Sequence, residues 1–384
     1  MGKVVGFDKE LVHSDKKIAI YGMSPCGQLT QKVLEMLGGG CSLYIDRLAR
    51  EEIWKNVPVK RFEDITDINE YMIINCASSA FWDIAEFLFE QGVETVYHAL
   101  PLLEIIPPDR DNVLEMYDTR QKYEHAIKKE ENDDSIYRLS IVITERCSLQ
   151  CKYCTEYVPY IRQTAEHMEI GNCKKALEKL LDALGKLESV MIQGGEVFTH
   201  PRWDELVEWC CEESRIGKVI ILTNSTIVPD RWEVMQNEKV LLTLDDYEEA
   251  SFRLHELEKW AEERKIHYTI MRHEFWYDVS DCQFTEENEK ELGEKFSVCQ
   301  LKGCWVISDH FLYRCTATYY KMKYMLSKTI EDDIDFIDLF KLTPAEIRGQ
   351  IVRLNSTNYL SACRYCVGTS MNNLTGVGEQ IQNG

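Results

Sequence analysis

Eight residues, Cys147-Ser-Leu-Gln-Cys151-Lys-Tyr-Cys154, constrain this chain more than any other stretch. They follow an apolar run, Leu139, Ile141 and Ile143, that reads as a strand. Three thiolates can hold three irons of a 4Fe–4S cube and leave the fourth iron open to a ligand. An open corner permits chemistry on what binds there, whereas four protein thiolates confine a cluster to carrying electrons or bracing the fold. The bland alternative is a zinc knuckle. Zinc sites pair CxxC elements and close four ligands. Cys151 and Cys154 make one such pair, but Cys147 would be an extra ligand, and no His-x-x-x-His follows.

A second motif lies about forty residues on. Val190-Met-Ile-Gln-Gly194-Gly195-Glu196 is an apolar strand running into Gly-Gly-Glu. Two glycines let a backbone approach a ligand closely, and a carboxylate can accept from an ammonium group. A third segment, Ile221-Leu-Thr223-Asn224-Ser225, ends another apolar run. Together these resemble the signature of the radical S-adenosylmethionine (radical SAM) enzymes: CxxxCxxC with an aromatic residue before its last cysteine, GGE after the second barrel strand, and TNG after the third. Ser225 stands where the family has glycine.

Composition limits the alternatives. The chain has 384 residues, enough for two or three domains. It has no apolar run of eighteen residues and no signal-peptide core, so the expectation is a cytoplasmic protein that neither spans a membrane nor is exported. Fifteen cysteines in such a chain argue for metal ligation in a reducing compartment rather than for disulfides. A formal charge of −21 disfavours nucleic acid as a partner, since phosphate binding needs basic patches.

The expected fold class is α/β in three parts. Residues 1–108 alternate strand and helix, with strands at Lys17–Gly22, Ser42–Ile45, Tyr71–Cys76 and Val93–Tyr97. That pattern is a small Rossmann-like domain. Its first loop, Gly22-Met-Ser-Pro-Cys-Gly27, has two glycines where the dinucleotide fingerprint has three. A docking or scaffold role is therefore favoured over NAD binding, although Asp46 stands where a ribose would be gripped. Residues 109–135, with Lys122, Glu124, Lys128, Glu130 and Glu131, read as a charged linker helix or a cap beneath the next domain.

Residues 136–296 alternate again, with strands at 138–143, 189–193, 218–223, 239–244 and 267–271. This fits the partial (β/α)6 TIM-like barrel of the family, whose motif loops gather at the C-terminal strand ends. Residues 297–384 hold a second cysteine group: Cys299, Cys304, a hairpin turning near Asp309-His310, Cys315, then Cys363-Arg-Tyr-Cys366. The pattern resembles the twitch or SPASM extensions of radical SAM enzymes. Five thiols imply one auxiliary 4Fe–4S cluster, with either Cys299 or Cys304 left over. A structural zinc site on Cys304, Cys315, Cys363 and Cys366 is the alternative.

The resemblance implies roles. Cys147, Cys151 and Cys154 would ligate the cluster whose open iron binds S-adenosylmethionine. Reductive cleavage of that molecule would give a 5′-deoxyadenosyl radical, which takes a hydrogen from the substrate. Tyr153 would lie beside the adenine; Gly194, Gly195 and Glu196 would hold the methionine end. Thr223, Asn224 and Asp245 are candidates for the remaining cofactor contacts. His273, Glu274, Trp276, Tyr277 and Asp278, with Asp246 and Tyr247, cluster at the barrel mouth as substrate-contact candidates. The expected activity is that of an oxidoreductase or epimerase acting on a small polar molecule, favouring a sugar or nucleotide-linked sugar, with reduced flavodoxin or ferredoxin as electron donor. A maturase of ribosomally made peptides is the alternative; a non-catalytic metal-binding scaffold ranks below both.

Overall fold

The structure, a computed structural model, describes residues 2–46, 53–78, 80–105, 119–120, 123–124, 126–128, 134–136, 138–321 and 335–381. Contacts divide the chain into two units, Met1–Glu131 and Asn132–Gly384.

The first unit is built on a seven-stranded sheet. Its strands are β1 (Lys3–Gly6), β2 (Lys17–Tyr21), β3 (Leu43–Ile45), β4 (Ile53–Trp54), β5 (Val57–Lys60), β6 (Tyr71–Asn75) and β7 (Thr95–His98), in the order β1-β7-β6-β2-β3-β5-β4. All pairings are parallel except β4 with β5. Residues 18–21 of β2 are buried throughout, as befits a strand covered on both faces. Helix α1 (Pro25–Met36) starts where Ser24 accepts the Gly27 N–H and Pro25 fills the first turn. Strand order reverses beside β2, at the Gly22 loop. There a Cβ on Gly27 would lie 2.2 Å from the Gly22 carbonyl oxygen. Asp46 accepts the Met23 N–H of this loop at 3.0 Å, which ties the loop to the end of β3.

Helices α2 (Phe81–Glu90) and α3 (Leu100–Leu103) complete the described regular elements of this unit up to residue 105. Of the expected linker helix, residues 119–120, 123–124 and 126–128 are helical. Tyr123 is fully buried; its hydroxyl donates to the Asn75 carbonyl and accepts from the Ala99 N–H. Residues 134–135 are described and are not helical; the rest of that expectation, including Lys122, Glu130 and Glu131, lies outside the described residues.

The second unit holds an eight-stranded sheet. Five parallel strands stand in chain order: β8 (Arg138–Thr144), β9 (Leu187–Gly194), β10 (Ile216–Thr223), β11 (Val240–Asp246) and β12 (Tyr268–Arg272). After β8 come helices α4 (Val158–Ile161) and α5 (Ile170–Leu184). Helix α6 (Trp203–Glu212) precedes β10, and α7 (Leu254–Glu263) precedes β12. Helix α5 buries Cys173, Ala176, Leu177, Leu180 and Leu181, a stripe at three- and four-residue spacing. It stops at Gly185, whose φ of 83° suits glycine.

The sixth parallel strand comes from beyond residue 296. After β13 (Trp276–Tyr277) and α8 (Glu289–Val298), β14 (Cys304–Ser308) lies beside β8, on the side away from β9. The cause is visible in its burial: Trp305 and Ile307 face the same core as Leu139, Ile141 and Ile192. The Asp309–His310 turn then leads to β15 (Phe311–Tyr313), and β16 (Phe336–Asp338) follows, both antiparallel to their neighbours. Asp309 carries the positive φ of this turn, 53°. Helices α9 (Thr316–Tyr320) and α10 (Pro344–Asn355) and strand β17 (Leu374–Thr375), paired with β13, complete the unit.

Candidate active site

The loop after β8 carries the three motif cysteines. Its turn closes by the Cys154 N–H donating to the Cys151 carbonyl at 3.2 Å. All three thiols line one cavity of about 320 Å³ at the C-terminal ends of the barrel strands, with Gly194 and Gly195 in the same wall. Burial pushes the Cys147 thiol up to about 12 and raises Cys151 and Cys154 as well. A thiolate at such a place needs a cation beside it and hydrogen-bond donors around it. Donors are present: Asn224 Nδ2 and the Leu149 N–H reach Cys147 Sγ at 3.3 and 3.4 Å, and Gln380 Nε2 reaches Cys151 Sγ at 3.1 Å. Three such sulfurs in one wall fit an iron–sulfur cluster with one open iron.

The two glycines are required by their neighbours as well as by any ligand. A Cβ on Gly194 would lie 2.1 Å from the Thr144 carbonyl oxygen, and one on Gly195 2.4 Å from that of Arg146 and 2.9 Å from the Cys147 Cβ. Glycine here lets the β9 loop lie directly on the cysteine loop.

Glu196 is 1% exposed and lies outside the cavity wall. Its carboxylate accepts from Thr223 Oγ1 at 2.9 and 3.0 Å, from the Asn224 N–H at 2.9 Å and from the Phe198 N–H at 3.1 Å. Burial pushes it up to about 7 despite these donors. It therefore holds the two residues that do face the cavity, Thr223 and Asn224. Tyr153 is also outside the wall; the Lys152 ammonium lies 4.8 Å from its ring centre. Ser225, in the glycine position of the third motif, has φ 60°, and its buried hydroxyl has no hydrogen-bond partner among the described residues. The left-handed region costs a non-glycine residue roughly 1–2 kcal/mol. Ser225→Gly should therefore stabilise the protein by about 1 kcal/mol, read as a higher thermal midpoint with unchanged iron content.

Of the remaining candidates, Asp245, Tyr247, His273, Trp276 and Tyr277 line the cavity. His273 Nε2 lies 2.9 Å from Asp245 Oδ1, and the Tyr247 hydroxyl donates to Asp245 Oδ2 at 2.8 Å. Tyr247 meets Trp276 edge to face, ring centres 5.0 Å apart. Asp246, Glu274 and Asp278 do not line the cavity. Successive strand residues face opposite ways, so with Asp245 inward Asp246 turns to Arg272 Nε at 3.4 Å. Glu274 is exposed, and Asp278 closes a turn by accepting the Ser280 N–H at 3.0 Å.

Sequence reasoning missed Glu156, Gln193 and Phe275, which share the wall. Glu156 accepts from Gln193 Nε2 at 3.0 Å and from the Tyr320 hydroxyl. Burial pushes it up to about 7. Strand alternation could have found Gln193, since Met191 and Gln193 face the cavity while Ile192 belongs to the outer core.

The second cysteine group divides. Cys299, Cys315, Cys363 and Cys366 surround a small cavity of about 30 Å³, whereas Cys304, at the start of β14, lines the first cavity. Burial pushes Cys363 up to about 12 and raises Cys315. Lys295 Nζ donates to the Cys363 and Cys366 carbonyls at 2.9 and 2.7 Å and so fixes the CxxC turn. This set fits a four-thiolate cluster. The zinc alternative, which uses Cys304, does not match the grouping.

The radical SAM superfamily profile matches residues 141–269. The antilisterial bacteriocin subtilosin biosynthesis protein AlbA of Bacillus subtilis (strain 168) is 31% identical over 86 residues, 22% of this chain and 18% of AlbA. The chain thus matches less than a fifth of that relative's length. Among solved structures, BtrN in complex with AdoMet and 2-DOIA is 11% identical, covering 64% of this chain and 99% of that one, with a TM-score of 0.42. SuiB of Streptococcus suis bound to the precursor peptide SuiA is 14% identical over 74% of this chain and 83% of that one, with a TM-score of 0.37.

Proposed function

We propose that this chain is a radical SAM enzyme and that it removes a hydrogen atom from a small polar substrate held at the mouth of its barrel, most consistently a sugar. A 4Fe–4S cluster held by three thiolates supplies, when bound, the electron that breaks the sulfonium C–S bond of S-adenosylmethionine and frees the 5′-deoxyadenosyl radical. Cys147, Cys151 and Cys154 are assigned to that cluster; Gly194, Gly195, Thr223 and Asn224 to S-adenosylmethionine. Cys299, Cys315, Cys363 and Cys366 are assigned to one auxiliary 4Fe–4S cluster, which would take up a substrate electron in a dehydrogenation. The reading includes reduced flavodoxin or ferredoxin as donor and a reducing, cytoplasmic setting. Among the described residues no helix is long and apolar enough to cross a membrane.

One observation carries the substrate reading. The three thiols share a single cavity with Asp245, Tyr247, His273 and Glu156. Such groups accept from and donate to hydroxyls and amines. The described wall holds no Lys or Arg, so it addresses the sugar end of a nucleotide-linked substrate rather than its phosphates. Peptide modification is the second reading, favoured by the likeness of 86 residues to AlbA. The test is to incubate the reconstituted enzyme and reductant with deuterated sugars, nucleotide sugars and leader-bearing peptides. Deuterium should appear in 5′-deoxyadenosine from a sugar. Transfer from a peptide, with none from any sugar, would overturn the substrate reading.

A further inference from the structure

The last described residues of the chain run across the loop that carries the three thiols. The Lys152 N–H donates to the Glu379 carbonyl at 2.7 Å and the Ile381 N–H to the Gln150 carbonyl at 2.9 Å, so the segments pair antiparallel about Cys151 and Gln380. The Gln380 side chain turns into the same loop. Its oxygen accepts the Gln150 N–H at 2.7 Å, and its nitrogen donates to Cys151 Sγ at 3.1 Å and to the Gly378 carbonyl at 2.7 Å. The backbone N–H on one side and the backbone carbonyl on the other fix the amide's orientation, with its NH2 toward the sulfur.

The same segment reaches the other wall of the cavity. Leu374 and Thr375 pair with Tyr277 and Trp276. Gly378, at φ 63°, lies so near Tyr247 that a Cβ on it would be 2.8 Å from the Tyr247 Cβ. Residues 374–381 thus form a strap from the substrate-side aromatics to Cys151.

We propose that this strap tunes the cluster: the Gln380 amide, by donating to the Cys151 thiolate, raises the reduction potential of the cluster that Cys151 helps to hold. The proposal rests on the assignment of Cys147, Cys151 and Cys154 to that cluster. The physical reason is charge. A reduced cluster carries one more negative charge than an oxidised one, and a donor at a ligating sulfur favours the more negative state. Gln380 is a positioning residue: it reaches the chemistry through Cys151 alone.

The experiment compares the anaerobically reconstituted full chain with Gln380→Leu and Gln380→Glu. The readout is a potentiometric titration of the EPR signal that changes when S-adenosylmethionine is added, which separates this cluster from the auxiliary one. Gln380→Leu should shift the midpoint to more negative potential at unchanged iron content. Gln380→Glu keeps an acceptor for Gln150 but sets a charged oxygen against the sulfur, and should shift it further. An unchanged midpoint in both variants at full iron loading overturns the proposal. Loss of iron from this cluster in both variants overturns it too, because the strap would then be a clamp. The cluster assignment fails separately, if a chain with all three cysteines changed to Ala keeps the S-adenosylmethionine-responsive signal.

Discussion

Changing Cys147, Cys151 and Cys154 together to Ala should remove about four of roughly eight irons per chain and abolish S-adenosylmethionine cleavage. The auxiliary site stands on other residues, Cys299, Cys315, Cys363 and Cys366 around their own cavity, so it should keep its iron. Iron analysis and 5′-deoxyadenosine formation under reductant check both halves. Loss of all the iron would mean that the two sites assemble as one. Retention of cleavage would remove the thiols from the reaction. Zinc in place of the remaining iron would count against the auxiliary cluster.

Glu196→Ala should be costly in a different manner. The substitution leaves the Phe198 and Asn224 N–H groups and the Thr223 hydroxyl without their acceptor in a buried place. An unsatisfied buried donor costs about 1–3 kcal/mol. The expected destabilisation is therefore roughly 3 kcal/mol or more, with S-adenosylmethionine binding weakened at least about tenfold as Thr223 and Asn224 shift. Thermal unfolding and equilibrium dialysis read the two effects. Weakened binding at full stability would show that the carboxylate touches the ligand itself, against the observed geometry.

Glu196 also shows what one sequence can and cannot disclose. Cys147, Cys151 and Cys154 were legible because eight residues in one turn must bring their side chains together, whatever the rest of the chain does. Gly194 and Gly195 were legible for a related reason, since a missing Cβ marks a close approach. What the glycines approach was not legible. Their nearest neighbours are the Thr144 and Arg146 carbonyls, set by the lateral fit of β8 against β9. The direction of the Glu196 carboxylate depends in turn on the loop after β10, a contact across 28 residues that no local pattern encodes. Glu156 escaped notice because a single carboxylate beside a cysteine motif has no period.

The strand edges were equally partial. The five barrel strands from residue 138 to 272 follow from apolar runs bounded by turns, and each lies within a few residues of its expected place. The position of Cys304–Ser308 beside β8 does not follow. A short apolar strand can join either edge of an open sheet, and here burial of Trp305 and Ile307 decides. Likewise, a choice between Cys299 and Cys304 was open in the sequence and is separated in space by the start of this strand.

That placement has a kinetic consequence. Strand β8 is made early, but the neighbour on one of its edges, β14, is encoded far downstream. At roughly 5–20 residues per second of synthesis, the chain takes on the order of ten seconds to travel from one to the other. During that time the backbone groups along one side of β8 have no ladder partner, a state prone to wrong pairing. The barrel sheet is thus a structure of high contact order whose completion waits for the cysteine-rich region. The first unit has no such dependence: each of its described pairings joins segments within the first hundred residues. Newly made chains should therefore pass through a stage in which the first sheet is complete and the second still open along β8, the stage at which chaperones would matter most.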